Sequence, residues 1–238
     1  MQPAPKPFDP VHFTDLVDPG ILRRSGSVFY SGRSAFSSPS PVYVLGLNPG
    51  GSPSGQAEET VSRDIEQWRS GPPVWSAYQD ESWRGMAPGT CGLQPQVLHL
   101  FGGLGIDPRA VPASNVVFVR THSEQALRDE KAHLLKLCWP VHRAVIDGLK
   151  ASTVVCLGAT AGRWVREELG AYALAGRFIE RNARRWTNEA HFAPSGICVI
   201  TLTHPGRANW CSPEADPTPL VRRALAGTGL AAPSSSEA

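Results

Sequence analysis

The chain has 238 residues, a formal net charge of +2 and 41% hydrophobic residues, long for one domain and short for two, so one domain with loose ends is expected. The near-neutral charge neither requires nor excludes a nucleic-acid partner, and no run approaches the ~20 apolar residues of a membrane span. The opening MQPAPKPFDPVHF lacks the apolar core of a signal peptide, and five cysteines without a C-x-x-C pair point to reduced thiols in a cytoplasmic protein rather than an iron–sulfur cluster or structural zinc. The basic residues are 19 Arg against 4 Lys. Arg suits bidentate phosphate contacts, but a GC-rich genome would encode the same bias.

Residues 1–40, rich in Pro, Ser and Gly, read as an arm packed on a domain spanning 41–228, and 229–238 as a disordered tail. VYVLGL is a continuous apolar run, the pattern of a strand covered on both faces. AEETVSRDIEQWRSG sets Val61, Ile65 and Trp68 at helical spacing before Gly71 and two prolines. A loop with three exposed-looking aromatics, Trp75, Tyr78 and Trp83, follows. PQVLHLFGGLGI opens a helix at Pro95 that should stop at Gly102 and Gly103. NVVFVRT reads as a second buried strand, and EKAHLLKLCWPVHRAVIDGLKA as a long helix bent at Pro140. STVVCLG is a third strand, ATAGRWVREELGAYA a helix, and GRFIERNARRWTNEAHFAP a less regular stretch compatible with a hairpin. GICVITLTHPGRANW is a fourth strand, and a last helix covers roughly 217–226.

Strands alternating with helices predict a three-layer α/β/α fold around a central, mainly parallel four-stranded sheet. Ligands of such sheets bind beyond the C-terminal ends of the strands. Two strands end there in a proline-glycine turn carrying one polar side chain, Asn48 and His204. Neither GLNPGGSPSG nor LGATAG completes a nucleotide-binding motif: the first lacks Gly-Lys-Ser/Thr, the second a G-x-G-x-x-G. Taken singly, Asn-Pro-Gly could be a mere turn, His204 a hydrogen-bonded strand-end residue, and Arg120 a clamp on a carboxylate.

GLNPGG followed downstream by THPGRAN resembles the two signature motifs of the uracil-DNA glycosylase superfamily, in particular its mismatch-specific and single-strand-selective branches with a Gly-x-Asn-Pro-Gly first motif. The resemblance spans about residues 41–210. It implies a site in which Asn48 holds the attacking water and His204 stabilises the oxyanion that grows on the departing base. An amide cannot deprotonate water, so such a site relies on positioning and electrostatics. The same resemblance implies that Gly46, Leu47, Pro49, Gly50, Trp83, Arg120 and Thr121 touch the flipped base. Gly51, Ser52, Pro205, Gly206 and Arg207 would contact DNA, with Arg207 as a wedge in the emptied stack. Trp83 is the choice among three aromatics for stacking. Several uracil-specific branches end the second strand with an asparagine. Here Arg120 or Thr121 falls at that position and Asn115 is taken to lie too early, which puts uracil as the substrate in doubt. The four lysines include none placed to form a Schiff base: Lys131, Lys136 and Lys150 all fall on the long helix or its end.

The expected function is therefore hydrolysis of the N-glycosidic bond of a damaged or modified base by a monomer acting on DNA, with no cofactor and no metal. The alternatives are a nucleic-acid-binding module that keeps the fold with little catalysis, and a glycosidase acting on free nucleosides or nucleotides.

Overall fold

A computed structural model describes residues 9–227; the expected tail lies outside them, as does the last residue of the expected domain. The strands are β1 (Val42–Gly46), β2 (Ala113–Asn115), β3 (Thr153–Leu157), β4 (Ala173–Ile179), β5 (Thr187–Phe192) and β6 (Cys198–Leu202). They form one six-stranded sheet in the order β2-β1-β3-β6-β5-β4. The expectation of four strands is corrected. Four are parallel, and the stretch after the third parallel strand is an antiparallel hairpin, β4–β5, that extends the sheet past β6.

Side-chain alternation along the strands builds the layers. Tyr43, Leu45, Val154, Cys156 and Val199 face one core, shared with α2 (Val61–Ser70), α5 (Lys131–Leu149) and α6 (Ala159–Leu169). Val42, Val44, Val155, Ile200 and Leu202 face the other, shared with α3 (Gln94–Leu104) and α7 (Thr218–Gly227). The chain is thus α/β with helices on both faces of the sheet. Two short helices, α1 (Val11–Asp15) and α4 (Glu124–Asp129), complete the described elements of regular α-helix. None of the helices among the described residues is long and apolar enough to cross a membrane.

Two boundaries differ from expectation. α3 runs through Gly102 and Gly103 and stops at Gly105, whose left-handed backbone (φ 69°) caps it. The long helix runs on through Pro140 as expected. The second strand ends at Asn115 instead of beginning there. Its apolar continuation, Val116–Val119, donates to the carbonyls of Gly46 and Leu47 and is then covered by the arm. Ser27 donates to Phe118, Arg120 to Ser25 and Tyr30 to Ala113 through the backbone. A Pro/Ser/Gly-rich arm thereby satisfies the free edge of the sheet.

His142 of α5 is fully buried. Nε2 approaches the Val116 carbonyl (3.1 Å) and must donate, so Nδ1 accepts from the Tyr43 hydroxyl (2.8 Å). Burial holds the His142 pKa down at about 4, against ~6.5 in the unfolded chain. The folded state then resists protonation, so this ring's contribution is intact above pH 6.5 and is lost as pH falls towards 4. Asp64 acts oppositely: burial raises its carboxyl to about 6, so protonation below that pH favours the folded state. A His142→Phe variant isolates the ring. Between pH 7 and pH 4, denaturant titrations should shift in favour of the variant over the parent by on the order of 3 kcal/mol; a pH-independent difference would show that the ring titrates normally.

Candidate functional site

The parallel strands β1, β3 and β6 all present their C-terminal ends at one edge. Asn48 stands two residues past β1 and His204 two past β6, with β3 between them. At ~4.8 Å per strand spacing, the two positions are separated by roughly 10 Å across the edge.

The β1 turn needs its glycines for close approach. A Cβ on Gly46 would meet the Asn115 Oδ1 at 2.1 Å, and one on Gly51 would meet the Gln56 Oε1 at 1.9 Å, with Gly51 also at φ 112°. Gln56 accepts from the Ser52 N–H and donates to Glu59. Glu59 in turn pairs with Arg120 (3.1 Å). Arg120 forms the clamp weighed for it as an alternative to a base contact. Only 7% exposed, it donates to the Gly50 carbonyl (2.7 Å), the Ser25 hydroxyl (2.7 Å) and Glu59. A buried guanidinium has to find such partners, and the arm and the turn supply them. Leu47 and Pro49 anchor the turn inward, while Gly50 is exposed, with nothing within 4 Å of the place a Cβ would take. The Gly50 and Gly51 N–H groups make no hydrogen bond among the described residues.

Asn48 is half-buried and its orientation is fixed by acceptors. Nδ2 faces the carbonyls of Pro49 (3.3 Å) and Val119 (3.4 Å) and the Thr121 hydroxyl (3.2 Å). The Thr121 hydroxyl is itself committed to the Ser123 carbonyl (3.0 Å), so Thr121 positions Asn48. All three bonds come from the nitrogen, and Oδ1 is left as the acceptor that a water would meet.

His204 is held in one tautomer. The Gly206 N–H donates to Nδ1 (3.0 Å), so the proton of the neutral ring is on Nε2. Desolvation lowers its pKa, as does neighbouring Arg207, while Glu124 opposes them. The ring packs over Gly158 at the start of α6, where a Cβ would lie 3.4 Å from Cδ2. The positive end of the helix dipole there also disfavours imidazolium. The turn is anchored from β5 and from its own far end. Fully buried Asn188 accepts the Thr203 N–H (2.7 Å), and buried Trp210 donates to the Thr203 hydroxyl (3.2 Å). Pro205 is buried, whereas Gly206 and Arg207 are exposed.

Two neighbours escape sequence reasoning. Asn115, the last residue of β2, pairs in register with Gly46. It is 6% exposed, and its side-chain amide is engaged with the Tyr30 hydroxyl, while Nδ2 meets no partner at full hydrogen-bond geometry among the described residues. Tyr30 of the arm lies beside it. Burial pushes the Tyr30 hydroxyl up to about 12, with the Asn115 side chain pulling it the other way. The aromatic loop connects here: Tyr30 contacts Tyr78 (ring centroids 6.0 Å apart), and Tyr78 contacts Trp83 (6.3 Å). Trp83 is half-buried and two ring contacts away from Asn115's neighbour, while Tyr78 is core. A residue-type signal for Asn115 exists, since a polar residue beside a strand-end glycine is unusual, but the apolar run after it draws the expected strand too late. Nothing in the arm sets Tyr30 apart.

A recess of about 540 Å³ between α5 and α6, lined by Lys131, Trp139 and Glu167 among others, contains none of these residues. No family model matches the chain, and no curated protein matches it significantly.

Proposed function

We propose that the chain is a monofunctional DNA glycosylase of the uracil-DNA glycosylase type, which hydrolyses the N-glycosidic bond of an extruded base and leaves an abasic site. What supports this most is the pairing at one sheet edge of an oriented amide with a free acceptor, Asn48, and a neutral imidazole with a free Nε2–H, His204. Water held by Asn48 Oδ1 adds to the sugar's anomeric carbon as the carbon–nitrogen bond breaks. The bonding electrons leave with the base, and the His204 Nε2–H donates to the base oxygen on which the charge accumulates. The water proton passes to solvent, and the base takes up a proton on release. With no carboxylate base in the scheme, catalysis rests on alignment and should be slow.

Asn115 deepens the reading. A buried amide beside Gly46, engaged only by the neighbouring Tyr30 hydroxyl, has a donor to offer a base carbonyl that enters, which favours bases with an oxygen on that edge. The asparagine that ends β2 supports uracil as a member of that class. The backbone N–H groups of Gly50 and Gly51 suit a phosphate of the extruded nucleotide.

The test is a panel of duplex and single-stranded oligonucleotides carrying uracil, other oxidised or deaminated bases, or none, assayed for alkali-labile breaks. Breaks confined to lesion-bearing strands are expected. Binding without breaks across the panel would instead identify a binding module, and base release from nucleosides that competitor DNA does not inhibit would identify a monomer-directed enzyme.

A further inference from the structure

We infer that the tip of the β4–β5 hairpin, with Arg184 and Arg185, is a second nucleic-acid contact that grips the phosphates of duplex DNA across a groove from the extruded nucleotide. The inference rests on the glycosylase reading for the place of that nucleotide.

Strand direction puts the tip in reach. β5 runs antiparallel to β6, with Glu189 opposite Thr201 and Phe192 opposite Cys198. The turn between β4 and β5, residues 180–186, therefore emerges at the edge that carries Asn48 and His204. Three to four strand spacings separate it from β1, roughly 14–19 Å. That is too far for the phosphates of the extruded nucleotide itself. It is comparable to the ~12 Å width of a major groove, so a rigid duplex docked at Asn48 would bring a flanking backbone to the tip. A flexible single strand has no phosphate fixed at that distance.

The tip is built rather than frayed. Asn182 Oδ1 accepts the backbone N–H groups of Arg184 (3.0 Å) and Arg185 (3.3 Å), and its Nδ2 donates to Glu180 (2.7 Å). Arg184 lies over the Trp186 ring, 4.9 Å from its centroid, and donates to the Arg207 carbonyl, which ties the hairpin to the His204 turn. Arg185 holds a left-handed backbone (φ 51°) and its side chain makes no hydrogen bond or ion pair among the described residues. Residues 181–186 contain three arginines and no acid. Arg181 is committed to the Pro213 carbonyl, and Arg177, lower on β4, to Glu189. Arg184 is exposed and held in place by the Trp186 ring and the Arg207 carbonyl, and Arg185 faces solvent beside it, so little ordering remains to be done when a phosphate arrives.

The experiment titrates fluorescent 20-base-pair duplex and the same single strand with full-length protein over a KCl series. Relative to the parent, an Arg184→Ala/Arg185→Ala double variant should flatten the log K against log[salt] slope for duplex by about 2. Its duplex affinity at low salt should fall at least about tenfold, with single-strand affinity within about twofold. Arg184→Lys/Arg185→Lys, which keeps both charges, should retain most of the slope and serves as the folding control. An unchanged duplex slope, or equal losses on duplex and single strand, would overturn the inference. Because the readout is binding, a flattened slope stands even if no lesion is ever cleaved. An unchanged slope with intact base release would sink the hairpin contact alone.

Discussion

Asn48→Ala is expected to reduce single-turnover base release by on the order of 10²–10³-fold while leaving DNA binding nearly intact, and His204→Ala to do the same. Asn48 cannot accept a proton from water, so on the proposed reading its whole effect lies in holding that water through Oδ1 while Nδ2 is pinned by Val119 and Thr121. The alanine variant keeps the backbone turn, which Arg120 secures independently through the Gly50 carbonyl. On the proposed reading, His204→Ala removes the oriented Nε2–H that donates to the departing base. A neutral ring with a lowered pKa also means that the rate should stay flat from about pH 8 down to about 6.5. A rate rising tenfold per pH unit would point to an ionising base, which the Asn48–His204 scheme does not use. Because the proposal has the two residues serve one transition state, it expects the double variant to lose much less than the product of the single losses.

Trp210→Ala should cost about 3–5 kcal/mol of folding stability, measured by denaturant unfolding, a large part of the ~5–15 kcal/mol typical of a domain. The indole is fully buried in the core shared with α3 and α7, and it also donates to Thr203 immediately before His204. Packing and anchoring can be separated. Trp210→Phe keeps most of the buried ring and loses the hydrogen bond, so about 1 kcal/mol is expected, together with a slower base-release step because the His204 turn loosens. If Trp210→Ala unfolds with less than about 1 kcal/mol of loss, the second motif is not part of the core.

The strand ends are legible in the sequence because chemistry marks them twice. An apolar run that stops at Gly46-Leu47-Asn48-Pro49 and another that stops at Thr203-His204-Pro205 can be read without tertiary information. The alternation of elements likewise implies a sheet covered on both faces. What stays hidden depends on partners distant in the chain. Val116–Val119 looks like a strand because it is apolar, yet β2 is the more polar Ala113–Asn115 and the apolar run is buried under the arm. That misplacement conceals Asn115 and promotes Arg120, whose real partners, Ser25 and Glu59, lie in the arm and ahead of α2. Gly102 and Gly103 look like a helix stop, but a Cβ on Gly103 would crowd Thr218 at 2.8 Å, so a small residue serves the packing of α3 on α7. The hairpin is readable only as irregularity, because its exposed edge strand lacks a buried face to give it period-two alternation.

The most direct measurement is nuclear magnetic resonance of the parent protein, isotope-labelled at Asn and His side chains and titrated with a duplex bearing an uncleavable 2′-fluoro-deoxyuridine. The Asn48 side-chain amide and the His204 ring should shift together at one stoichiometric end point, and neither should respond to the same duplex without the modified nucleotide. Movement of one group without the other, or equal shifts with unmodified DNA, would show that the two do not meet around a single extruded base.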